Sequence, residues 1–157
     1  MEFVAIDFET ANQGRDSACE VSLIRFIDGQ PSETLTTYIY QEEFLGINMS
    51  IHGIEPGDVA NAPEFHEFWP TAREFIGSSP LVAHNAGFDI GVLFRSLRGA
   101  QVGAELPYFC TMVLSRRTLP IAYFSLANVS QHLGIHHPEE HRAESDAITA
   151  GNVALAL

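Results

Sequence analysis

A buried strand that ends in two acids is the feature that most constrains this chain. Residues 4–10, VAIDFET, run from apolar side chains into Asp7 and Glu9, which are one residue apart. Residues two apart in a strand point to the same side of it. The two carboxylates therefore stand together at the strand's carboxyl end, where each raises the pKa of the other unless a cation is close. Two solvated acids at a strand end are common, so the pair alone assigns no site.

Size and composition indicate a packed globular protein. The chain has 157 residues, of which 46% are hydrophobic, and we expect one domain over residues 1–157. Its longest apolar runs are too short to cross a membrane, and its first residues enter a strand without the leader of a signal peptide. The spacing of Cys19 and Cys110 fits no metal motif, which predicts two buried thiols in a reducing, cytoplasmic protein.

The first third of the chain reads as strands. Residues 2–8, 19–27 and 34–40 have strand patterns, and the last two are joined by the turn sequence DGQP. Together they predict an antiparallel three-stranded meander. Residues 41–62 are rich in glycine and proline, and we expect a loop there.

Strands and helices alternate in the rest of the chain. Short strands are predicted at 81–84 and 108–111, and Ser125 and Gly134 are a plausible cap and stop of one helix. Hairpin strands first and alternating elements later predict a mixed α/β layer fold. The predicted helices cover residues 64–76, 111–117 and 125–133, a segment that begins near Phe88, and the chain from about residue 142 to its end.

Two further motifs carry acids at helix starts. In LVAHNAGFD, residues 81–89, an apolar strand opens into a small-residue turn and Asp89 follows in the next helix. In HRAESDAITA, residues 141–150, His141 precedes a helix and Asp146 lies about one turn into it, beside alanines that allow close packing on a sheet. Each has an ordinary explanation taken alone: an acid in a first helical turn stabilises the helix by up to ~1 kcal/mol, and His141 fits a surface loop.

The order and spacing of the three motifs resemble the DnaQ-like 3′–5′ exonucleases of the DEDDh type. The proofreading epsilon subunit of bacterial DNA polymerase III is the best-known member of that family. Two linking segments, IHGI at 51–54 and YFSLANVSQHLGI at 123–135, are also similar to family members. The resemblance implies a ribonuclease H-like fold, in which a mixed sheet of antiparallel meander and parallel strands is flanked by helices.

The resemblance also implies a catalytic site. Two divalent cations, Mg²⁺ or Mn²⁺, would be held by Asp7, Glu9, Asp89 and Asp146, with Asp7 shared between them. Hard oxygen ligands suit these ions, and a pair ~4 Å apart can stabilise both the attacking and the leaving oxygen of a phosphoryl displacement. His141 would be the general base, because an imidazole can accept a proton near neutral pH.

Substrate contacts follow from the same resemblance. Thr10 should border the 3′-terminal nucleotide, and His52 should reach the substrate. Asn85 either holds its turn or touches the nucleic acid, and Phe88 packs either near the terminal base or in the core. The remaining histidines that match no motif read as ordinary surface or structural residues: His66, His132, His136 and His137.

Net charge is −12, from 8 basic and 20 acidic residues, which disfavours a protein that grips long stretches of nucleic acid. Binding one 3′ end needs few phosphate contacts, and bound cations supply local positive charge. We therefore expect weak, distributive binding, with a DNA polymerase or another replication or repair protein supplying further grip. A small basic rim is predicted from Arg95, Arg98, Arg116, Arg117 and Arg142.

The sequence thus predicts a metal-dependent 3′–5′ exonuclease that removes nucleoside 5′-monophosphates from single-stranded nucleic acid, with DNA favoured. The alternative enzyme is an exoribonuclease that trims short RNA with the same residues. An inactive interaction module should have lost one of the five site residues, yet all five are present. A metal-binding protein without nuclease activity requires the order of the motifs to be coincidental.

Overall fold

The computed structural model describes residues 1–97 and 106–157, so Arg98 of the predicted basic rim lies outside the described residues. Its strands form one five-stranded sheet in the order β3-β2-β1-β4-β5. The strands are β1 (Glu2–Thr10), β2 (Ala18–Ile27), β3 (Gln30–Tyr38), β4 (Leu81–Ala83) and β5 (Tyr108–Cys110). The helices are α1 (Gly46–His52), α2 (Pro56–Val59), α3 (Phe65–Ile76), α4 (Ala86–Ser96), α5 (Thr111–Thr118), α6 (Leu126–Leu133) and α7 (Ala143–Ala156).

The sheet is mixed. β1, β2 and β3 form an antiparallel meander, whereas β4 and β5 run parallel to β1. Asp28 and Gly29 both have positive φ, 49° and 81°, and make the tight turn between β2 and β3. The predicted fold class, a meander plus parallel strands flanked by helices, is confirmed.

The two faces of β1 pack against different helices. Val4, Ile6 and Phe8 join a core cluster with residues of α3 and α4. Phe3 and Ala5 belong to a second cluster that includes Ala147 of α7. Since side chains alternate along a strand, Asp7 and Glu9 continue the set that faces α7.

Small side chains let α7 lie close to the sheet. A Cβ added at Gly151 would come within 2.3 Å of the Phe26 ring, so this position has no room for a side chain. Ala143, Ala147 and Ala150 are buried on the same helix. The predicted close packing of this helix on the sheet is confirmed, and it brings the start of α7 to the carboxyl end of β1.

The segment 41–62, predicted to be a loop, contains the two short helices α1 and α2. Its glycines and Pro56 hide the helical periodicity, yet Pro56 begins α2 and a capping box joins Glu55 to Asp58. In the part of the chain that the structure describes, no helix combines the length and the apolar character needed to cross a membrane.

Candidate active site

The ends of three elements meet around a cavity of about 330 Å³. The carboxyl end of β1 contributes Asp7 and Glu9, the first turns of α4 contribute Asp89, and the entry to α7 contributes His141 and Asp146. All five residues predicted to carry the chemistry therefore line one cavity. The other lining residues are Phe8, Thr10, His84, Asn85, Phe88 and Leu126.

Asp89 is almost completely enclosed, with 1% of its surface exposed. Its Oδ1 atom is buried and has no hydrogen-bond partner among the described residues. Burial raises the pKa of Asp89 from 3.8 to about 8, and the nearby Asp146 adds to this effect. An exposed helix-capping acid would have neither property, so capping alone does not explain this residue.

Asp7 and Glu9 also have raised pKa values. Burial raises the pKa of Asp7 well above its ordinary value, and the surrounding carboxylates Asp89, Asp146 and Glu9 raise it further. Burial, with a contribution from Asp146, also raises the pKa of Glu9 to about 8. The cluster therefore needs either protons or cations to be stable near neutral pH.

Asp146 is held on both of its oxygens. His137 Nε2 donates to Oδ1 at 2.5 Å, and the main-chain N–H of His141 donates to Oδ2 at 3.1 Å. Burial raises the pKa of Asp146, and the hydrogen bond from His137 opposes that shift. His137 was predicted to be an ordinary surface or structural residue. Its contact with Asp146 was not predictable, because a loop that folds back over nine residues leaves no periodic signal in the sequence.

His141 stands on the loop before α7 and is exposed, as expected for a base that must approach a bound substrate. Its φ of 63° lies in the left-handed region, which is uncommon for a residue with a side chain. One ring nitrogen, a Glu9 oxygen and an Asp146 oxygen all lie within 4.8 Å of one another.

An ion pair between a buried glutamate and a partly exposed arginine fixes the start of α7 beside this loop. Glu20 is 3% exposed and lies opposite Glu9 on β2. One of its oxygens accepts from Arg142 Nη2 at 3.0 Å, and the other accepts from the Ala143 N–H at 3.1 Å. Arg142 was predicted to join a basic rim, but it serves this pair instead. The signal that could have revealed Glu20 is a charged residue between the buried Cys19 and Val21.

Three of the four predicted substrate contacts line the cavity. Thr10 is 9% exposed and lines the cavity. Asn85 is exposed with φ 65° where α4 begins, so it both forms the turn and faces the cavity. Phe88 lines the cavity and also packs against the core cluster. Its contact with the terminal base stays a prediction.

His52 lies behind Thr10 rather than in the cavity, and it is 6% exposed. Its Nδ1 accepts from the Ile54 N–H at 3.0 Å, and its Nε2 donates to the Thr10 carbonyl at 3.1 Å. Asn48 donates to the same carbonyl at 2.9 Å. Both ring nitrogens therefore bind the main chain and hold the end of β1. The contact of His52 with substrate stays a prediction.

The carboxylate cluster fits hard divalent cations. Its donors are carboxylate oxygens, one of them buried without a partner among the described residues. Burial raises the pKa of each acid, and repulsion by neighbouring carboxylates adds to the rise at Asp7, Glu9 and Asp89. Asp7, Glu9, Asp89 and Asp146 are the residues that would hold such ions.

Comparison with known proteins gives consistent matches over the chain. The family model RNase_T, described as an exonuclease, matches residues 4–154. The PolC-type DNA polymerase III of Clostridium perfringens is 30% identical over 150 residues, which cover 93% of this chain and 10% of the polymerase. The chain spans between 10% and 26% of the length of the first three curated relatives it matches.

Solved structures match as well. Exonuclease X in complex with 5′-overhanging duplex DNA superimposes with a TM-score of 0.79 at 26% identity, covering 98% of this chain and 89% of that one. A 3′-exonuclease solved with a histone mRNA stem-loop gives a TM-score of 0.81 at 13% identity, covering 98% and 80%. At that identity the second likeness concerns the fold alone.

Proposed function

This chain belongs to the RNase_T exonuclease family, and from that premise we propose that it is a metal-dependent 3′–5′ exonuclease that releases nucleoside 5′-monophosphates from single-stranded nucleic acid. The match also confirms the resemblance to DnaQ-like enzymes and the ribonuclease H-like fold. The observation that carries the proposal is the convergence of four acids and His141, from three distant motifs, on one cavity.

Members of this family depend on divalent metal ions. In the proposed site, Asp7, Glu9, Asp89 and Asp146 hold two ions, Mg²⁺ or Mn²⁺. When bound, these ions supply positive charge to the scissile phosphate and make a nearby water easier to deprotonate. The orphaned Oδ1 of Asp89 and the raised pKa values of its neighbours support this assignment.

His141 accepts the proton of the attacking water on an imidazole nitrogen. The water oxygen then bonds to the scissile phosphorus, and the bond from phosphorus to the 3′ oxygen of the preceding nucleotide breaks. That oxygen leaves with the bonding electron pair and takes up a proton from solvent to become the new 3′-hydroxyl. The left-handed backbone at His141 and the hydrogen bond from its N–H to Asp146 fix the loop from which the imidazole reaches the cavity. Thr10, Asn85 and Phe88, which also line the cavity, border the terminal nucleotide in this proposal.

We propose DNA as the substrate. The support is a relative that is a DNA polymerase at 30% identity, together with an exonuclease bound to DNA at 26% identity. A polymerase or another replication or repair protein is the proposed partner, since the strongly acidic chain has little positive surface for gripping a long strand. Two free cysteines, Cys19 and Cys110, support a reducing, cytoplasmic location.

The test uses a 5′-labelled single-stranded DNA and an RNA of the same sequence. Each is incubated with Mg²⁺, with Mn²⁺ or with EDTA, beside an Asp7→Ala control. The proposal predicts a ladder that shortens from the 3′ end, needs metal, is absent in the control and forms faster on DNA. Faster trimming of RNA would assign an exoribonuclease instead. A folded protein that gives no ladder on either strand would refute the proposal.

A further inference from the structure

Arg15 brings a guanidinium group to the wall of the active-site cavity. The residue is exposed on the loop between β1 and β2. Its Nη1 donates to the Gly87 carbonyl at 2.8 Å, and its guanidinium carbon lies 5.9 Å from the centre of the Phe88 ring. Phe88 in turn lines the cavity. Arg15 therefore contacts a residue, Phe88, that lines the same cavity as the carboxylates.

The surface of α4 is shaped to accept this side chain. A Cβ added at Gly91 would lie 2.1 Å from Arg15 Nη1 and 3.0 Å from its Cδ. The backbone at Gly91 has no positive φ, so the helix itself does not require glycine there. The missing side chain instead leaves the notch across which Arg15 lies.

The loop that carries Arg15 is tied together internally. The Ala11 N–H donates to the Ser17 carbonyl at 2.8 Å, and the Gly14 N–H donates to Asn12 Oδ1 at 2.8 Å. The Ser17 hydroxyl donates back to the Asn12 carbonyl at 3.1 Å. These bonds hold Arg15 in place before any ligand arrives, which lowers the entropy lost on binding.

No carboxylate of the described residues neutralises the charge of Arg15. Arg25 pairs with Glu2 and Glu33, and Arg142 pairs with Glu20, whereas Arg15 makes no ion pair within residues 1–97 and 106–157. A guanidinium has five N–H donors, and among the described residues only one of them has a partner, the Gly87 carbonyl. An arginine with unused donors that rests on an aromatic face suits a phosphate.

We propose that Arg15 binds a phosphodiester of the substrate strand on the 5′ side of the scissile linkage. The carboxylates would bind the scissile phosphate through their cations, whereas Arg15 lies outside the cavity lining, against Gly87 and Phe88, where a strand leaving the cavity can reach it. This inference rests on the proposed exonuclease function. Arg15 binds and positions the strand and takes no part in proton transfer.

The chain offers a matched control in Arg73. This arginine is also exposed and also donates Nη1 to a main-chain carbonyl, that of Gly77 at 2.5 Å, but it lies on α3. The end of α3 contacts Arg25, which pairs with Glu2 at the start of β1, so Arg73 is at the opposite end of the sheet from the cavity.

The experiment compares Arg15→Gln, Arg15→Lys and Arg73→Gln on two substrates. One is a single-stranded oligonucleotide, and the other is thymidine 5′-p-nitrophenyl phosphate, which has no second phosphodiester. Arg15→Gln should lower kcat/KM on the oligonucleotide roughly tenfold or more, mainly through KM, and leave the small ester unaffected. Its log–log salt slope should be less steep by about 0.7, as for one lost phosphate contact. Arg15→Lys should recover part of the loss, and Arg73→Gln should behave as wild type.

Neutral methylphosphonate linkages, placed one at a time from the 3′ end, locate the contact. Wild-type protein should lose activity at one linkage beyond the scissile one, and Arg15→Gln should be insensitive to that same substitution. Equal losses of activity on both substrates would mean that Arg15 only supports α4 structurally, which would overturn the proposal. Unchanged activity of Arg15→Gln on the oligonucleotide would overturn it too. Wild-type protein that cleaves neither substrate would refute the exonuclease function itself, whereas active wild type with an unchanged variant refutes the Arg15 assignment alone.

Discussion

Replacement of Asp89 by asparagine should stabilise the metal-free protein near neutral pH while abolishing cleavage. Burial raises the pKa of Asp89 from 3.8 to about 8, so the folded protein holds this proton more tightly than the unfolded chain does. The stabilising contribution of this proton to the free energy of unfolding is therefore complete below about pH 4 and is lost as the pH rises towards about 8. Within that window each pH unit costs about 1.4 kcal/mol of unfolding free energy.

Between about pH 5.5 and about pH 7.5 the cost attributable to Asp89 is thus roughly 2 to 3 kcal/mol. For a chain of 157 residues this corresponds to a fall in Tm of about 5 to 10 °C. Asparagine has no charge to bury, so the variant should lack this part of the pH dependence. Its amide can also donate to the neighbouring carboxylates.

The assay is urea and thermal unfolding in EDTA across this pH range, for wild type, Asp89→Asn and the exposed Glu74→Gln as a control for net charge. The advantage of Asp89→Asn over wild type should grow with pH, while the control follows wild type. Mn²⁺ or Mg²⁺ should then stabilise wild type more at the higher pH and have little effect on Asp89→Asn. Equal pH slopes, or equal stabilisation of both proteins by metal, would refute the reasoning.

Three further predictions concern other parts of the molecule. His141→Ala should lower turnover by about 10²- to 10⁴-fold in single-turnover assays while oligonucleotide affinity stays near normal, and near-normal turnover would remove it from the role of base. Glu20→Ala strips Arg142 and a helix N–H of their acceptor, and urea melts should show a loss of about 1 to 3 kcal/mol; unchanged stability would contradict the structural role of this pair. Gly151→Ala drives a methyl group into Phe26, so unfolding should become easier by about 1 to 3 kcal/mol with the metal response retained, and no loss would mean that the ring moves aside.

The architecture was largely predictable because its signals are local. The turn after β2 carries Asp28 and Gly29 at positive φ, as the DGQP sequence indicated. Ser125 accepts from the Asn128 N–H at the start of α6, and Gly134 ends that helix at φ 69°, as predicted. Each of these features depends on residues within a few positions of one another.

The contacts that organise the site were not predictable in the same way. The Glu20 carboxylate reaches a main-chain N–H 123 residues away, and Arg15 reaches a carbonyl 72 residues away. No periodicity or turn pattern links residues at such separations. The contact of His137 with Asp146 was also not predicted, because the two side chains meet only after the loop between them folds back.

The five residues predicted to hold the metal ions and to act as base could be found from the sequence. Their convergence was predicted from the resemblance of three spaced motifs to one family. In the structure all five residues line the same cavity. The roles of Asp7, Glu9, Asp89 and Asp146 as metal ligands, and of His141 as base, remain predictions. The substrate contact of His52 is also still a prediction, and in the structure both nitrogens of its ring bind the main chain.

The most direct test of this account is anomalous X-ray scattering from crystals soaked in Mn²⁺ and a nucleoside 5′-monophosphate. The account predicts two peaks ~4 Å apart, coordinated by oxygens of Asp7, Glu9, Asp89 and Asp146, with no bond to the His141 ring. Absence of any peak at this cluster would contradict the metal site. A single ion ligated by His141, Glu9 and Asp146, which lie close enough to allow it, would contradict the assignment of His141 as the base.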